Sequence, residues 1–286
     1  MQSYRCEIRQ NGVLVNTVYR LDDGFLFPAP ETLNLPISGL EPETEYSVRI
    51  VPVTAWGNEG QALCFTFTTE AGSAAPTPEE TLVFSTRFGQ DGSAVDSVSN
   101  TAMTVTGTPV TVWDEAQQKY VGVFDGHSAY AFYDVEAYHA QLLETFTFET
   151  YVRMDALPSS RYVNHFSNMQ GGGFGFQYEA DGNMTFYAYA GSYRHVGAAV
   201  QTGVWAHFVA TYDGENLILY MNGTAVDRLT VGGPVKAPQV QFFVVGGDSE
   251  ANGTGAFAAC AVGCANVYAA ALTATQVAAL YAAYPH

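Results

Sequence analysis

The sequence predicts an all-β protein of two β-sandwich modules, closed by one short C-terminal helix. Three observations predict it. Short runs alternate apolar and polar residues, as in Tyr4-Arg-Cys-Glu-Ile8, Phe146-Thr-Phe-Glu149 and Phe174-Gly-Phe-Gln-Tyr178; this is the pattern of antiparallel strands with one buried face. Tight-turn pairs punctuate the chain: Asn11-Gly12, Asp181-Gly182, Asp213-Gly214 and Asn222-Gly223. Aromatic residues make up 14% of the 286 residues, with 18 Tyr and 18 Phe, enough large rings to fill a core between sheets.

Taken in order, Tyr4, Cys6 and Ile8 mark a first half-buried strand. Tyr46, Val48 and Ile50, then Phe65 and Phe67, mark two more. The stretch Glu70-Ala-Gly-Ser-Ala-Ala-Pro-Thr-Pro-Glu-Glu80 is small, polar and proline-containing, as linkers are. It divides a module at 1–70 from one at 81–286, with 71–80 as the linker. In the second module Phe174, Phe176 and Tyr178 share one strand face, as do Met184, Phe186 and Ala188, and both faces are expected in the core. Asn222-Gly223 joins Leu217–Met221 to Thr224–Val226 as a hairpin. Thr273 and Gln276 form a capping box, and Val277, Leu280 and Tyr281 follow on one helical face.

Charge narrows the function. With 28 acidic and 11 basic residues the net charge is -17, and the only lysines are Lys119 and Lys236. Such a surface repels phosphate backbones and anionic lipid heads, which argues against nucleic-acid and membrane-surface binding. Neutral ligands and cations remain. No segment reads as a membrane insertion: the most apolar run, Ala256 to Leu272, is broken by Gly263 and Asn266. The first residues hold no apolar signal core. Four cysteines, Cys6, Cys64, Cys260 and Cys264, are too few for a disulfide scaffold and lack zinc spacing. They read as buried free thiols.

Residues 38–69, with Leu40 and Tyr46 in the sense of a tyrosine corner, resemble the second half of a fibronectin type III domain. The first two strands of such a domain have no counterpart here, so the chain reads as a piece of a longer protein. Residues 81–284 resemble a laminin-G-like, concanavalin A-type jelly roll of two antiparallel sheets. The ordered segments are Leu82-Val-Phe84, Asp96 to Asn100, Gly122-Val-Phe-Asp-Gly126, Phe146 to Val152, Trp205 to Gly214, Leu219 to Gly223, Val244 to Gly247 and Val267-Tyr268. Such a domain implies a carbohydrate-binding or adhesion module. It also implies a structural Ca²⁺ at the sandwich rim, for which Asp96 and Asp125 match best; turn chemistry accounts for such Asx residues equally well. The combination resembles the C-terminal part of large secreted bacterial hydrolases, calcineurin-like metallophosphoesterases among them. That implies an extracellular or cell-surface location and a catalytic domain upstream in the same polypeptide.

No catalytic motif is expected within the chain. Glu144 and Glu149 are five residues apart and fall on opposite faces of a regular strand, whereas a retaining glycosidase brings two carboxyls together. Asp134 and Glu136 share a face but have no second glutamate after them. The six histidines are scattered singly. A glycosidase of unusual motif is therefore the third reading, behind a glycan-binding module and a purely structural or protein-adhesion one. Sugars bind by stacking on rings, helped by planar hydrogen bonders. The candidate residues are Gln177, Tyr187, Tyr189, Tyr193 and Arg194 around one hairpin, and Glu149, Tyr151 and Arg153 on another strand, lining one groove for a glycan or cell-surface glycoprotein. Trp205 and His207 read as packing residues.

Overall fold

Strand residues face alternate sides, so an aromatic at every second position commits one face of each strand to a core. The structure, a computed structural model, describes residues 2–21, 44–54, 57–69, 76–133, 141–159, 162–250 and 253–284. Leu40, positions 70–75 of the expected linker and the Asp134/Glu136 pair lie outside them. The chain divides into two compact units, Met1–Ala75 and Pro76–His286.

In the first unit, β1 (Gln2–Gln10), β2 (Val13–Leu21), β3 (Glu45–Thr54) and β4 (Leu63–Thr68) form one antiparallel sheet in the order β2-β1-β3-β4. Asn11 and Gly12 both take positive φ, as the tight hairpin between β1 and β2 requires. One face buries Cys6, Ile8, Tyr46 and Val48. The other carries Arg5, Arg9 and Arg49 paired with Glu7 and Glu59. Cys64 departs from expectation. Its register partner is Arg49 on this charged face, and it is exposed, whereas Cys6, Cys260 and Cys264 are buried; all four are free thiols.

The second unit opens on a turn of helix, α1 (Pro78–Thr81). The Thr77 hydroxyl accepts from the Glu80 amide and the Glu80 carboxylate accepts from the Thr77 amide. This capping box, with proline at the first helical position, was legible within the stretch read as linker. Strands β5 (Leu82–Phe88), β6 (Ala94–Asp96), β7 (Thr101–Ala102), β8 (Thr104–Thr106), β9 (Val110–Asp114), β10 (Lys119–Asp125) and β11 (Ala129–Phe132) follow. Next come β12 (Phe146–Met154), β13 (Tyr162–Asn168), β14 (Phe174–Glu179), β15 (Asn183–Ala190), β16 (Ser192–Ala199), β17 (Trp205–Tyr212), β18 (Asn216–Met221) and β19 (Thr224–Thr230). The chain ends with β20 (Phe243–Val245), β21 (Asp248–Glu250), β22 (Gly253–Gly255), β23 (Ala259–Tyr268) and α2 (Ala274–Ala282). Among the described residues no helix is long and apolar enough to cross a membrane.

Two antiparallel sheets face each other. A ten-stranded sheet runs β19-β18-β17-β12-β23-β5-β6-β7, with β10 on β23 and β9 on β10. A seven-stranded sheet runs β16-β15-β14-β13-β20-β11-β8. This is a concanavalin A-like jelly roll. Phe146 and Phe148 of β12 point inward onto Phe166, Phe174 and Phe186 of the opposing sheet, and all five are fully buried.

The outer face of the ten-stranded sheet is sealed by the C-terminal helix. The Thr273–Gln276 capping box forms as expected. Val277 buries against Val209, Tyr220, Tyr268 and Leu272. Beneath lies Glu149, fully buried on β12. Its Oε1 is 2.9 Å from His207 Nε2 and accepts from Tyr284 Oη at 3.1 Å. Its Oε2 accepts from Asn266 Nδ2 at 2.8 Å and from the Tyr268 hydroxyl. Burial pushes the carboxyl up, but the His207 contact, with Tyr268 and Asn266, outweighs it and holds Glu149 below its ordinary range. A folded-state value below the unfolded one adds stability above the ordinary carboxylate pKa, and that stability is lost as pH falls through the folded value. Glu149→Gln replaces the charged acceptor of these hydrogen bonds by a neutral amide and is expected to cost about 1.5–3 kcal/mol. The melting temperature should fall by several degrees at pH 7, with the deficit shrinking toward pH 3. An unchanged melting curve at pH 7 refutes the clamp.

Candidate functional site

The seven-stranded sheet leaves the outer face of β14 to β16 open, whereas over β11 and β20 Val240, Phe242 and Phe257 cover it. Phe174, Phe176 and Tyr178 are spent on the core, so Gly175, Gln177 and Glu179 of β14 look outward. Register carries the same face to Thr185 and Tyr187 of β15, then to His195 of β16. On the other side it carries it to Tyr162, Asn164 and Ser167 of β13.

Two adjoining hollows lie on this face and share Tyr187. A cup of about 240 Å³ is lined by Tyr162, Met169, Gln177, Tyr187, Tyr193 and Asp248. A wider trough of about 500 Å³ continues past Tyr187 to Glu179, Asp181, Asn183, His195 and Asp227. The walls are held by internal bonds. Glu179 Oε1 accepts from Gln177 Nε2 at 2.6 Å and from Tyr187 Oη at 3.0 Å. The Tyr193 hydroxyl donates to the Met169 carbonyl at 2.5 Å and packs its ring edge-on against Tyr187 and Tyr189.

Asp248 is the buried carboxylate of the cup, 8% exposed. Ser167 Oγ, the Met169 amide and the Ser249 amide all donate to its Oδ1, at 2.6, 2.9 and 2.8 Å. Oδ2 accepts no hydrogen bond from the described residues. Gly175 protects this arrangement, because a Cβ there would stand 2.1 Å from that of Ser167. Burial pushes the Asp248 carboxyl up to about 6, against the pull of its three donors, and Glu250 adds to the rise.

The sequence-derived candidates divide between the two outer faces. Gln177, Tyr187 and Tyr193 come together in the cup. Tyr189 adjoins it, but the Lys236 ammonium lies 5.1 Å from its ring centroid. Arg194 pairs with Ala188, whose face is the core side, so its parity points away from Tyr193 and His195. Glu149, Tyr151 and Arg153 are on the far sheet and do not share a groove with the hairpin residues. Glu149 is sealed under α2. Tyr151 stacks between Trp205 and Tyr284, at 5.0 and 4.6 Å. Arg153 bonds Asp155 at 2.7 Å rather than pairing with Glu149. Trp205 and His207 do pack, but on this outer face rather than between the sheets.

The two rim aspartates hold turns. Asp96 Oδ1 accepts from the Ser85 and Val98 amides, and Oδ2 from the amide and hydroxyl of Ser99. Asp125 Oδ1 accepts from the His127 amide and Ser128 Oγ, both at 2.9 Å. A calcium ion wants six to eight oxygens, and Asp96 already gives both of its own to donors. Among the described residues no group of three His, Cys, Asp or Glu gathers around either. A bound Ca²⁺ at this rim would need further oxygens, from backbone carbonyls or water, beyond these two side chains.

Asp248, Tyr162 and Met169 are the part of the cup that sequence reasoning did not assemble. Asp248 also carries a stability cost. Its folded-state value lies above the ordinary one, so between roughly pH 4 and 6 the folded chain keeps a proton that the unfolded chain has lost. Stability therefore falls as pH rises through that window. Asp248→Asn keeps an Oδ1 acceptor without the charge. It should raise stability at pH 7.5 by up to roughly 3 kcal/mol and change little at pH 4. Equal melting shifts at the two pH values would remove the ionised carboxylate from this account.

Comparison with known proteins agrees with this architecture. Residues 125–278 match the family described as the concanavalin A-like lectin/glucanases superfamily. No curated protein matches the sequence. Among solved structures, the binding domain of Paraclostridial Mosquitocidal Protein 1 superposes with TM-score 0.58 at 16% identity, over 72% of this chain and 52% of that one. The binding domain of botulinum neurotoxin DC in complex with SialylT gives 0.58 at 11% identity, over 72% and 52%. Domain 4 of AbnA, a GH43 extracellular arabinanase from Geobacillus stearothermophilus, in complex with arabinotriose, gives 0.55 at 18% identity, over 70% and 98%. The chain thus spans about half the length of the toxin domains, and at these identities the likeness is one of fold. The family match takes in more than half of the sequence, and the chain belongs to the concanavalin A-like lectin/glucanase superfamily.

Proposed function

We propose that the chain is a non-catalytic carbohydrate-binding module whose ligand surface is the outer face of the seven-stranded sheet. One observation carries this reading: Tyr162, Tyr187 and Tyr193 surround a hollow that also holds Gln177 and Asp248. Rings with planar hydrogen bonders between them are what sugar faces and hydroxyls require. The arabinotriose complex of an arabinanase domain of this fold supports it, as does the description of two toxin domains as binding domains. A glycan or cell-surface glycoprotein is the partner, and the setting is an extracellular bacterial protein.

The first unit fits a spacer. Its order β2-β1-β3-β4 suits the second half of a fibronectin type III sandwich. In the parent polypeptide, catalysis belongs to an upstream domain of a secreted hydrolase, of which a metallophosphoesterase is one example.

A glycan array tests the reading. Reproducible binding is expected, with affinity falling tenfold or more in Tyr187→Ala and Tyr193→Ala. Silence across a broad array, with the protein folded, overturns it in favour of a structural or protein-adhesion module. Hydrolysis of a bound polysaccharide by the purified chain overturns the non-catalytic half. Calcium has its own check. With the Asp96 and Asp125 oxygens engaged as described, melting curves in millimolar Ca²⁺ and in EGTA should coincide; a rise of several degrees that Asp125→Asn abolishes would restore a bound ion.

A further inference from the structure

We propose that the cup of Tyr162, Met169, Tyr187, Tyr193 and Asp248 binds an organic ammonium group. The inference rests on the reading of this face as the ligand surface and deepens it by naming the charge of the group bound.

The argument begins at Asp248. Its three donors converge on Oδ1, so Oδ2 is the oxygen left for whatever enters the cup. A buried carboxylate is tolerated when a positive charge or several donors offset it. The other walls suit a positive charge. Tyrosine faces attract cations, and an aromatic enclosure with a carboxylate is the chemistry that holds ammonium groups. Methionine adds a polarisable contact. The neighbouring ring already does this within the chain, where the Lys236 ammonium sits over Tyr189.

The surroundings act in the same direction. Glu179, Asp181 and Asp227 line the adjoining trough, and among the described residues no Lys or Arg lines either hollow. Acidic glycans and phosphorylated ligands meet four carboxylates there and, among the described residues, no arginine. A neutral hydroxyl could donate to Oδ2 but would leave the buried charge uncompensated. Any ammonium group supplies the compensating charge, and the primary ammonium of an amino sugar also donates to Oδ2. A volume near 240 Å³ admits one headgroup or one sugar ring, so the ammonium can come from an amino sugar or from a choline-like group.

Calorimetric titration at pH 7 with three probes separates the sources. The probes are the β-1,4-linked trimer of glucosamine, the same trimer fully N-acetylated, and choline. At least one ammonium probe should bind ten times more tightly than the acetylated trimer. Asp248→Asn should remove that preference. Glu115→Gln removes one negative charge as well but lies in the turn after β9, outside both hollows, and should keep it. Equal affinity for the charged and acetylated trimers with no choline binding overturns the proposal and leaves the carbohydrate reading standing. A preference surviving in Asp248→Asn, or lost equally in Glu115→Gln, also overturns it by reducing the effect to long-range attraction. Choline binding without any saccharide binding sustains the cup and sinks the carbohydrate reading.

Discussion

Phe148 is the ring on which the second unit is organised. Its centroid lies between 4.9 and 5.7 Å from those of Phe166, Phe174, Phe186 and Phe243 on the opposing sheet. Phe146 lies beside it at 5.7 Å. A ring this size buries enough area to fix the spacing of two sheets, and so many neighbours fix the register of β12. A slip of one residue would carry Glu149 into the phenylalanine layer and Phe148 out of it. Everything outside the sandwich follows from that choice of face.

The two outer faces then meet different fates. On the ten-stranded sheet, Thr147, Glu149 and Tyr151 are covered by the segment leading into α2. Thr147 Oγ1 donates to the Ala270 carbonyl and accepts from the Leu272 amide. Tyr284 closes over both Glu149 and Tyr151. The polar residues there are spent on holding a helix. On the seven-stranded sheet no helix arrives among the described residues, and the equivalent polar positions of β14 to β16 line open hollows. The same alternation that builds the core thus builds a sealed face and an available one. Which of the two a strand belongs to decides whether its outward side chains are structural or free to meet a ligand.

This division explains what the sequence revealed and what it withheld. The strand pattern, the Asn-Gly hairpins, the inward Phe and Met sets and the C-terminal capping box are local, with periods of two or three to four residues, and each formed as read. The outward parity of Gln177, Tyr187 and Tyr193 was legible for the same reason, as was the parity of Glu149. That Glu149 belongs to the other sheet was not, because sheet membership depends on pairings between strands far apart in sequence. Arg194 separates from the other hairpin candidates because in β16 it takes the parity of Val196, opposite to Tyr193 and His195. Asp248 carries no motif that singles it out in the sequence. Its role depends on Ser167, about eighty residues earlier, and on a burial that no spacing records. His165 is similar. It is fully buried against Phe176, burial holds it to about 3, and it stays neutral at physiological pH.

Charge ties the composition to the open face. An excess of acidic residues over the whole chain is by itself only a statement about solubility and steering. On this fold it acquires a location, because Glu179, Asp181 and Asp248, with Asp227 of β19 at the edge of the other sheet, line the two hollows. All four have donors within the protein: Gln177 and Tyr187 for Glu179, Asn183 for Asp181, the Gly197 amide for Asp227, and Ser167, Met169 and Ser249 for Asp248. They form a polar lining that is stable without a ligand. Asp248 differs in being buried, in a position where ionisation costs stability. Residues that only support a fold do not need such an arrangement, and an asparagine would meet the same three donors more cheaply. A carboxylate held there against its solvation, between tyrosines, is better explained by what it contacts from outside than by what it holds together inside.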